Sequence, residues 1–220
     1  MKRAMHEFAL PGPTKTPRCM MACTPRLAMS LILALSVALL GCSPKQEELR
    51  SYAEISRTSG SARSQIEHLT LASSGVTDLG VRELSTFSAL QTVWFRGCDS
   101  VTDLGFAALE VSRELRCISV WNCKELGQDS ARAWQHLDLK SFIVTRTAVD
   151  DEVLRVIARM PRLEEVLLSE VTGVTDGGVA ALAASPNLLS LVVVACPGVS
   201  ARAADGARSD LRVTIRGSLR

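Results

Sequence analysis

The sequence predicts an α/β stack of about six strand-and-helix units, and three observations lead there. One phrase recurs, as "GVTDLGVREL" at 75–84, "SVTDLGFAAL" at 100–109 and "GVTDGGVAAL" at 173–182. A looser phrase, with apolar residues at its first, fourth and sixth positions, opens at Ile66, Leu90, Leu115, Leu139, Leu163 and Leu188, in steps of 24, 25, 24, 24 and 25 residues. Inside each opening the apolar residues alternate with period two, as in Val93 and Phe95 or Ile118 and Val120. Such alternation marks a short strand with one face buried. A fixed period of this length means units too small to bury a face alone, which must therefore stack.

Each unit reads the same way along the chain. After the strand, the eighth residue beyond the unit start is Ser74, Cys98, Cys123, Thr147, Val171 or Cys196, a side chain compact enough to turn inward. Two or three residues later comes an apolar plug: Val76, Val101, Leu126, Val149, Val174 or Val199. The Thr, Asp or Ser that usually follows supplies an oxygen for the free N–H groups of a helix start, so the Thr-Asp pair is expected to cap its own helix. The helix then buries Val81 and Leu84, Phe106 and Leu109, Ala131 and Trp134, Leu154 and Ile157, or Val179 and Leu182, each pair three residues apart and so on one side.

With strand, cysteine, cap and helix positions all matched over Ile66–Arg216, the chain resembles the cysteine-containing subtype of leucine-rich repeat, known from substrate-receptor subunits of eukaryotic ubiquitin ligases. The resemblance implies a leucine-rich-repeat solenoid of about six repeats, with parallel strands on the concave face and helices on the convex face. It does not extend to function, because no F-box-like segment precedes the repeats and the front of the chain looks like an export signal. In the last unit Ala204 and Ala207 stand where large helix residues are expected, and "LRVTIR" at 211–216 reads as a closing strand of slipped register, so a frayed C-terminal cap is expected.

That front end holds an apolar run, Leu27–Gly41, preceded by Arg26. At about 15 residues it is shorter than the roughly 20 of a spanning helix and has the length of a signal-peptide core. Its end, "LLGC" at 39–42, resembles the lipobox of bacterial lipoproteins, which implies a signal peptide over 1–41, cleavage before Cys42 and a diacylglyceryl group on the Cys42 sulfur. The same resemblance implies a lipid-anchored protein of the bacterial cell envelope, with Ser43 leaning toward the outer membrane. A start at Met20 or Met21 would leave a signal of ordinary length. Residues 42–65 are polar, with "SGSARS" a flexible composition, and read as a lipid-anchored tether, with room for one short helix, ahead of a repeat domain at 66–220.

Charge follows the same division. The whole chain has 25 basic and 23 acidic residues, but Lys2, Arg3, Lys15, Arg18, Arg26 and Glu7 all precede Cys42, leaving 20 basic and 22 acidic residues after it. Without a basic excess there is no reason to expect a nucleic-acid partner.

Material for catalysis is sparse beyond the signal. His68 and His136 lie three units apart, and no HExxH, GxSxG or Gly-rich phosphate loop occurs. Asp150, Asp151 and Glu152 fall at a helix start, where the helix dipole accounts for acids. Cys117 and Cys123 lack CxxC spacing and no second pair follows, so no metal site, cofactor or catalytic residue is expected. Cys98, Cys123 and Cys196 sit at a repeat position that accounts for them without function, and Cys98 and Cys123 read as buried free thiols, while Cys117 falls on the outward side of its strand.

The tryptophans divide. Trp134 holds a core helix position, whereas Trp94 and Trp121 are out of phase with the buried strand residues and should face outward. The outward set continues with Thr92, Arg96, Ser119, Asn122, Ile143, Arg146, Leu167 and Val192. Contiguous exposed apolar surface marks interaction sites, and Trp and Arg dominate binding hot spots. Trp94, Arg96, Trp121, Asn122, Ile143, Arg146 and Leu167 are therefore the candidate surface for a protein or peptide partner of unknown identity. The alternatives are a structural envelope protein that self-associates, and a glycan-binding protein or enzyme using Trp94 and Trp121 as stacking platforms.

Overall fold

The computed structural model describes residues 46–217. Eight strands form a single, wholly parallel sheet in chain order: β1 Gln46–Leu49, β2 His68–Ala72, β3 Thr92–Arg96, β4 Cys117–Trp121, β5 Ser141–Thr145, β6 Glu165–Ser169, β7 Ser190–Val194 and β8 Arg212–Arg216. A parallel neighbour requires a crossover. From β2 to β7 a short helix makes each one: α3 Asp78–Glu83, α4 Asp103–Ala107, α5 Gln128–Ala133, α6 Asp151–Ile157 and α7 Asp176–Ala183. Two further helices, α1 Tyr52–Arg57 and α2 Gly60–Arg63, precede β2.

The pairing register repeats without a slip. Leu69, Val93, Ile118, Phe142, Val166 and Leu191 form one inward row, and Leu71, Phe95, Val120, Val144, Leu168 and Val193 the next. All twelve are buried against the helices, whose inward pairs, Val81 and Leu84 through Val179 and Leu182, are buried too. None of these helices exceeds eight residues. Isolated helices need about 12–15 residues to be even marginal in water, so packing holds them. In the third unit Ala131 takes a place filled elsewhere by Val, Phe or Leu, and Trp134 fills the room it leaves. Its ring stands 6.3 Å from that of Phe142, and its indole N–H donates to the Phe106 carbonyl at 2.9 Å.

The Thr-Asp phrase works differently from the expected self-cap. Asp78 accepts from the backbone N–H and the hydroxyl of Thr102, both at 2.7 Å, one unit further on. Asp151 does the same with Thr175, and Asp176 with Ser200. Asp103 accepts from the N–H groups of Gly127, Asp129 and Ser130, each at 3.0 Å. Thr77 and Thr102 occupy N-cap positions without a side-chain cap bond, whereas Asp150 and Thr175 do cap their own helices. The aspartate is thus a clamp between units, satisfying helix-start donors that belong to its neighbour. The glycine of the phrase makes room for it, since a Cβ on Gly105 would lie 2.1 Å from Asp78 Oδ1 and one on Gly178 2.4 Å from Asp151 Oδ1.

Both ends differ from expectation. Residues 46–63, expected within a polar tether, are folded onto the sheet: β1 pairs with β2 over four residues, Ser51 caps α1, and Leu49 and Ile55 are buried. Glu47 and Glu48 are exposed, as suits an edge strand. At the other end, β8 continues the register of β7 across all five residues, so its strand has not slipped. The shorter interval is absorbed by turns over 201–206 that replace a helix, and Val213, Ile215, Ala204 and Ala207 all stay only half-buried against the core. Arg208 secures this end by donating to the carbonyls of Ser185 and Leu188. The expected signal peptide over 1–41 and the expected lipid acceptor Cys42 lie outside the described residues.

Candidate functional site

The face of the sheet away from the helices carries three rows of side chains. The middle row runs Thr70, Trp94, Ser119, Ile143, Leu167, Val192 and Thr214. Trp94, Ile143, Leu167 and Val192 are half-buried in it, and Ser119 is buried between two of them. With strands about 4.8 Å apart, side chains on adjacent strands lie against each other, which removes part of the exposure a single strand would suggest.

The row at the C-terminal ends of the strands runs Ala72, Arg96, Trp121, Thr145, Ser169, Val194 and Arg216. Arg96 and Trp121 are exposed neighbours here, and the guanidinium carbon of Arg96 lies 5.5 Å from the Trp121 ring centroid. Trp94 and Trp121 are therefore diagonal neighbours in different rows. The next residue of each unit turns the chain off the sheet with positive φ: 64° at Gly97, 52° at Asn122 and at Arg146, 54° at Glu170 and 53° at Ala195. This left-handed conformation costs energy in residues other than glycine. It is held because each of these N–H groups donates to the last carbonyl of the following strand. The turn leaves Asn122 and Arg146 exposed at the sheet's rim, where Arg146 pairs with Glu170 at 2.7 Å.

The candidate residues therefore form two groups. Arg96, Trp121 and Asn122 line an open depression of about 500 Å³ with Glu48, Arg50, Ala72, Ser73 and Gly97. Trp94, Ile143 and Leu167 form an apolar strip beside it, and Arg146 is tied up in its ion pair. Arg50 and Glu48 were missing from the expected site because β1 was read as tether, although Arg50 precedes Ala72 by the same 22 residues that separate the starts of β1 and β2.

Cys98, Cys123 and Cys196 are buried and free, and the Cys98 N–H donates to the Cys123 sulfur at 3.3 Å. A hydrogen bond with Cys123 lowers the Cys98 thiol, and the same contact followed by burial holds the Cys123 proton in place. Cys117 is half-buried on the open face, and burial pushes its thiol up to about 11, so it is a poor nucleophile at neutral pH. His68 on β2 is buried, and His136 is exposed at the end of a single 3₁₀ turn after α5. Among the described residues no three His, Cys, Asp or Glu side chains gather in a way that could hold a metal ion. Nor is any helix among them long and apolar enough to cross a membrane. What this face offers chemically is flat apolar contact, aromatic stacking and a guanidinium.

No protein-family model matches the chain, and no curated protein matches it in sequence.

Proposed function

We propose that this chain is a lipid-anchored protein of the bacterial cell envelope whose leucine-rich-repeat solenoid binds a protein or peptide on its concave, strand-lined face without catalysing a reaction. The repeat reading draws on the 24–25-residue interval between the six openings, on the unbroken register from β2 to β7, and on the clamp that recurs at Asp78, Asp103, Asp151 and Asp176. One observation carries the binding role. Two of the three tryptophans lie on the face of the sheet that the core does not use, one beside an arginine with no ion pair among the described residues. Large aromatic and guanidinium groups placed where folding does not need them are the usual material of binding hot spots.

A photo-crosslinking phenylalanine analogue at position 121, on the open face, and another at position 104, where Leu104 is exposed on the opposite side, test this reading in the host cell. Capture of another protein from position 121 and not from 104 is expected. Equal capture from both positions contradicts it. Lipid anchoring is tested by mass spectrometry: the mature protein should begin at Cys42 and carry acyl chains, and Cys42→Ala should carry none. An unmodified Cys42 or an uncleaved front segment would contradict it.

The second reading, a self-associating structural protein, draws on β1 and β8, whose outer edges no strand among the described residues covers. Sizing of the soluble repeat region separates the two, since only self-association makes its mass depend on concentration.

A further inference from the structure

Given the binding role of the open face, on which this step rests, we propose that the depression at the C-terminal ends of β1–β4 receives an acidic side chain of an extended peptide segment in the partner protein. The shape follows from small residues at two adjacent strand ends, Ala72 and Ser73 at the end of β2 and Gly97 just past β3. Ala72 lies between Arg50 and Arg96, and Ser73 and Gly97 form the level beyond it, so the sheet dips there between an arginine wall and the Trp121 and Asn122 wall.

The charge of the depression is complementary to a carboxylate. Its lining holds two arginines and one glutamate. Glu48 is turned onto Arg50, which reaches its Oε1 through Nε at 3.2 Å and Nη2 at 3.1 Å. Arg96 has no acidic partner among the described residues and rests against the Trp121 ring. That cation–π contact biases the position of the guanidinium, and no side-chain hydrogen bond among the described residues occupies it, so its planar fork can make a bidentate bond to a carboxylate. Arg50 and Arg96 sit two strands apart, about 10 Å by sheet spacing; because Glu48 already holds Arg50, it is Arg96 that grips a carboxylate placed above Ala72. The Asn122 amide has an exposed position at the rim for the peptide backbone, and a following apolar residue meets Trp121 and the Trp94–Ile143–Leu167 strip. The arrangement selects for an Asp or Glu side chain followed by an aliphatic or aromatic one.

The test selects displayed random dodecapeptides on the whole chain, immobilised, then titrates the best peptide carrying a fluorophore. Selected sequences should share an Asp or Glu next to an apolar residue. Changing that acid to its amide, or Arg96→Glu in the protein, should each weaken binding about tenfold or more, the loss expected for a charge-assisted hydrogen bond. A peptide with Lys in place of the acid should recover affinity for Arg96→Glu and not for the wild type. Because Arg96 is exposed, the unfolding midpoint of Arg96→Glu should match the wild type, which separates lost binding from lost folding.

Peptides that show no acid preference and are indifferent to Arg96→Glu, but are lost with Trp94→Ala, would overturn the acidic pocket and leave the open face as a binding surface. Failure of the wild type to select any peptide above background would overturn both. In a parallel glycan array, binding of a neutral oligosaccharide that is lost with Trp121→Ala, with no acidic peptide selected, would overturn the proposal in favour of a glycan.

Discussion

The two faces of this sheet are built from alternate residues of the same strands and obey different rules. In β3 and β4, Val93, Phe95, Ile118 and Val120 are fully buried, while Trp94, Arg96 and Trp121 one step away remain half-buried or exposed. The tryptophans divide by phase in the same manner. Trp134, on the helix side, is sealed against Phe142 and bonded to the Phe106 carbonyl; Trp121, on the open side, is 36% exposed and shields only an arginine. Residue type alone does not assign these roles, but phase along the strand or helix does.

The largest break in this comparison should come from Trp134→Ala. Emptying a buried aromatic position costs about 3–5 kcal/mol, measured by urea unfolding. Next is Gly105→Ala, whose new Cβ must displace the Asp78 carboxylate; about 1–3 kcal/mol is expected, as in an overpacked site. Asp78→Ala alone should cost about 1–2 kcal/mol through the two Thr102 hydrogen bonds it removes. Because the two residues contest one space, the double variant should be more stable than the sum of the single losses predicts, and additive losses would contradict the clamp.

A smaller effect is expected from pH. Burial holds the His68 imidazole below its ordinary value of 6.5, against the raising influence of Glu67, and its Nδ1 has no hydrogen-bond partner among the described residues. The unfolded chain therefore takes up the proton first. Stability should be full above about pH 6.5 and fall as pH drops below it. Asp176, which the Ser200 hydrogen bonds hold below its ordinary 3.8, adds its own loss only at far lower pH. Tm should accordingly fall between pH 7.5 and 5, and His68→Gln should flatten that fall. The smallest change, about 0.5 kcal/mol each, is expected for Trp94→Ala and Trp121→Ala, the range of surface substitutions.

What the sequence disclosed follows from the same periodicity. The inward rows and the sidedness of the tryptophans were legible because alternation and a 24–25-residue interval place each residue by counting. The first strand was not, because in "QEEL" only Leu49 turns toward the core and an edge strand has little apolar pattern to read. The target of the aspartates was hidden as well: a carboxylate beside a helix start looks like that helix's own cap, and only the stacked structure brings Thr102 to Asp78. The depression was legible in half, as Arg96, Trp121 and Asn122; its other half, Glu48 and Arg50, went with the unrecognised strand.

The central claim, that one face of the sheet is sealed by the fold and the other left open, is tested most directly by fluorescence quenching. The chain has three tryptophans, so variants keeping one each, with Phe at the other two positions, report each site separately. Acrylamide should quench the chain retaining Trp121 strongly and that retaining Trp94 to an intermediate degree, while leaving that retaining Trp134 almost untouched until urea unfolds it. Equal quenching of all three in the folded state, or a Trp121 as protected as Trp134, would contradict the account.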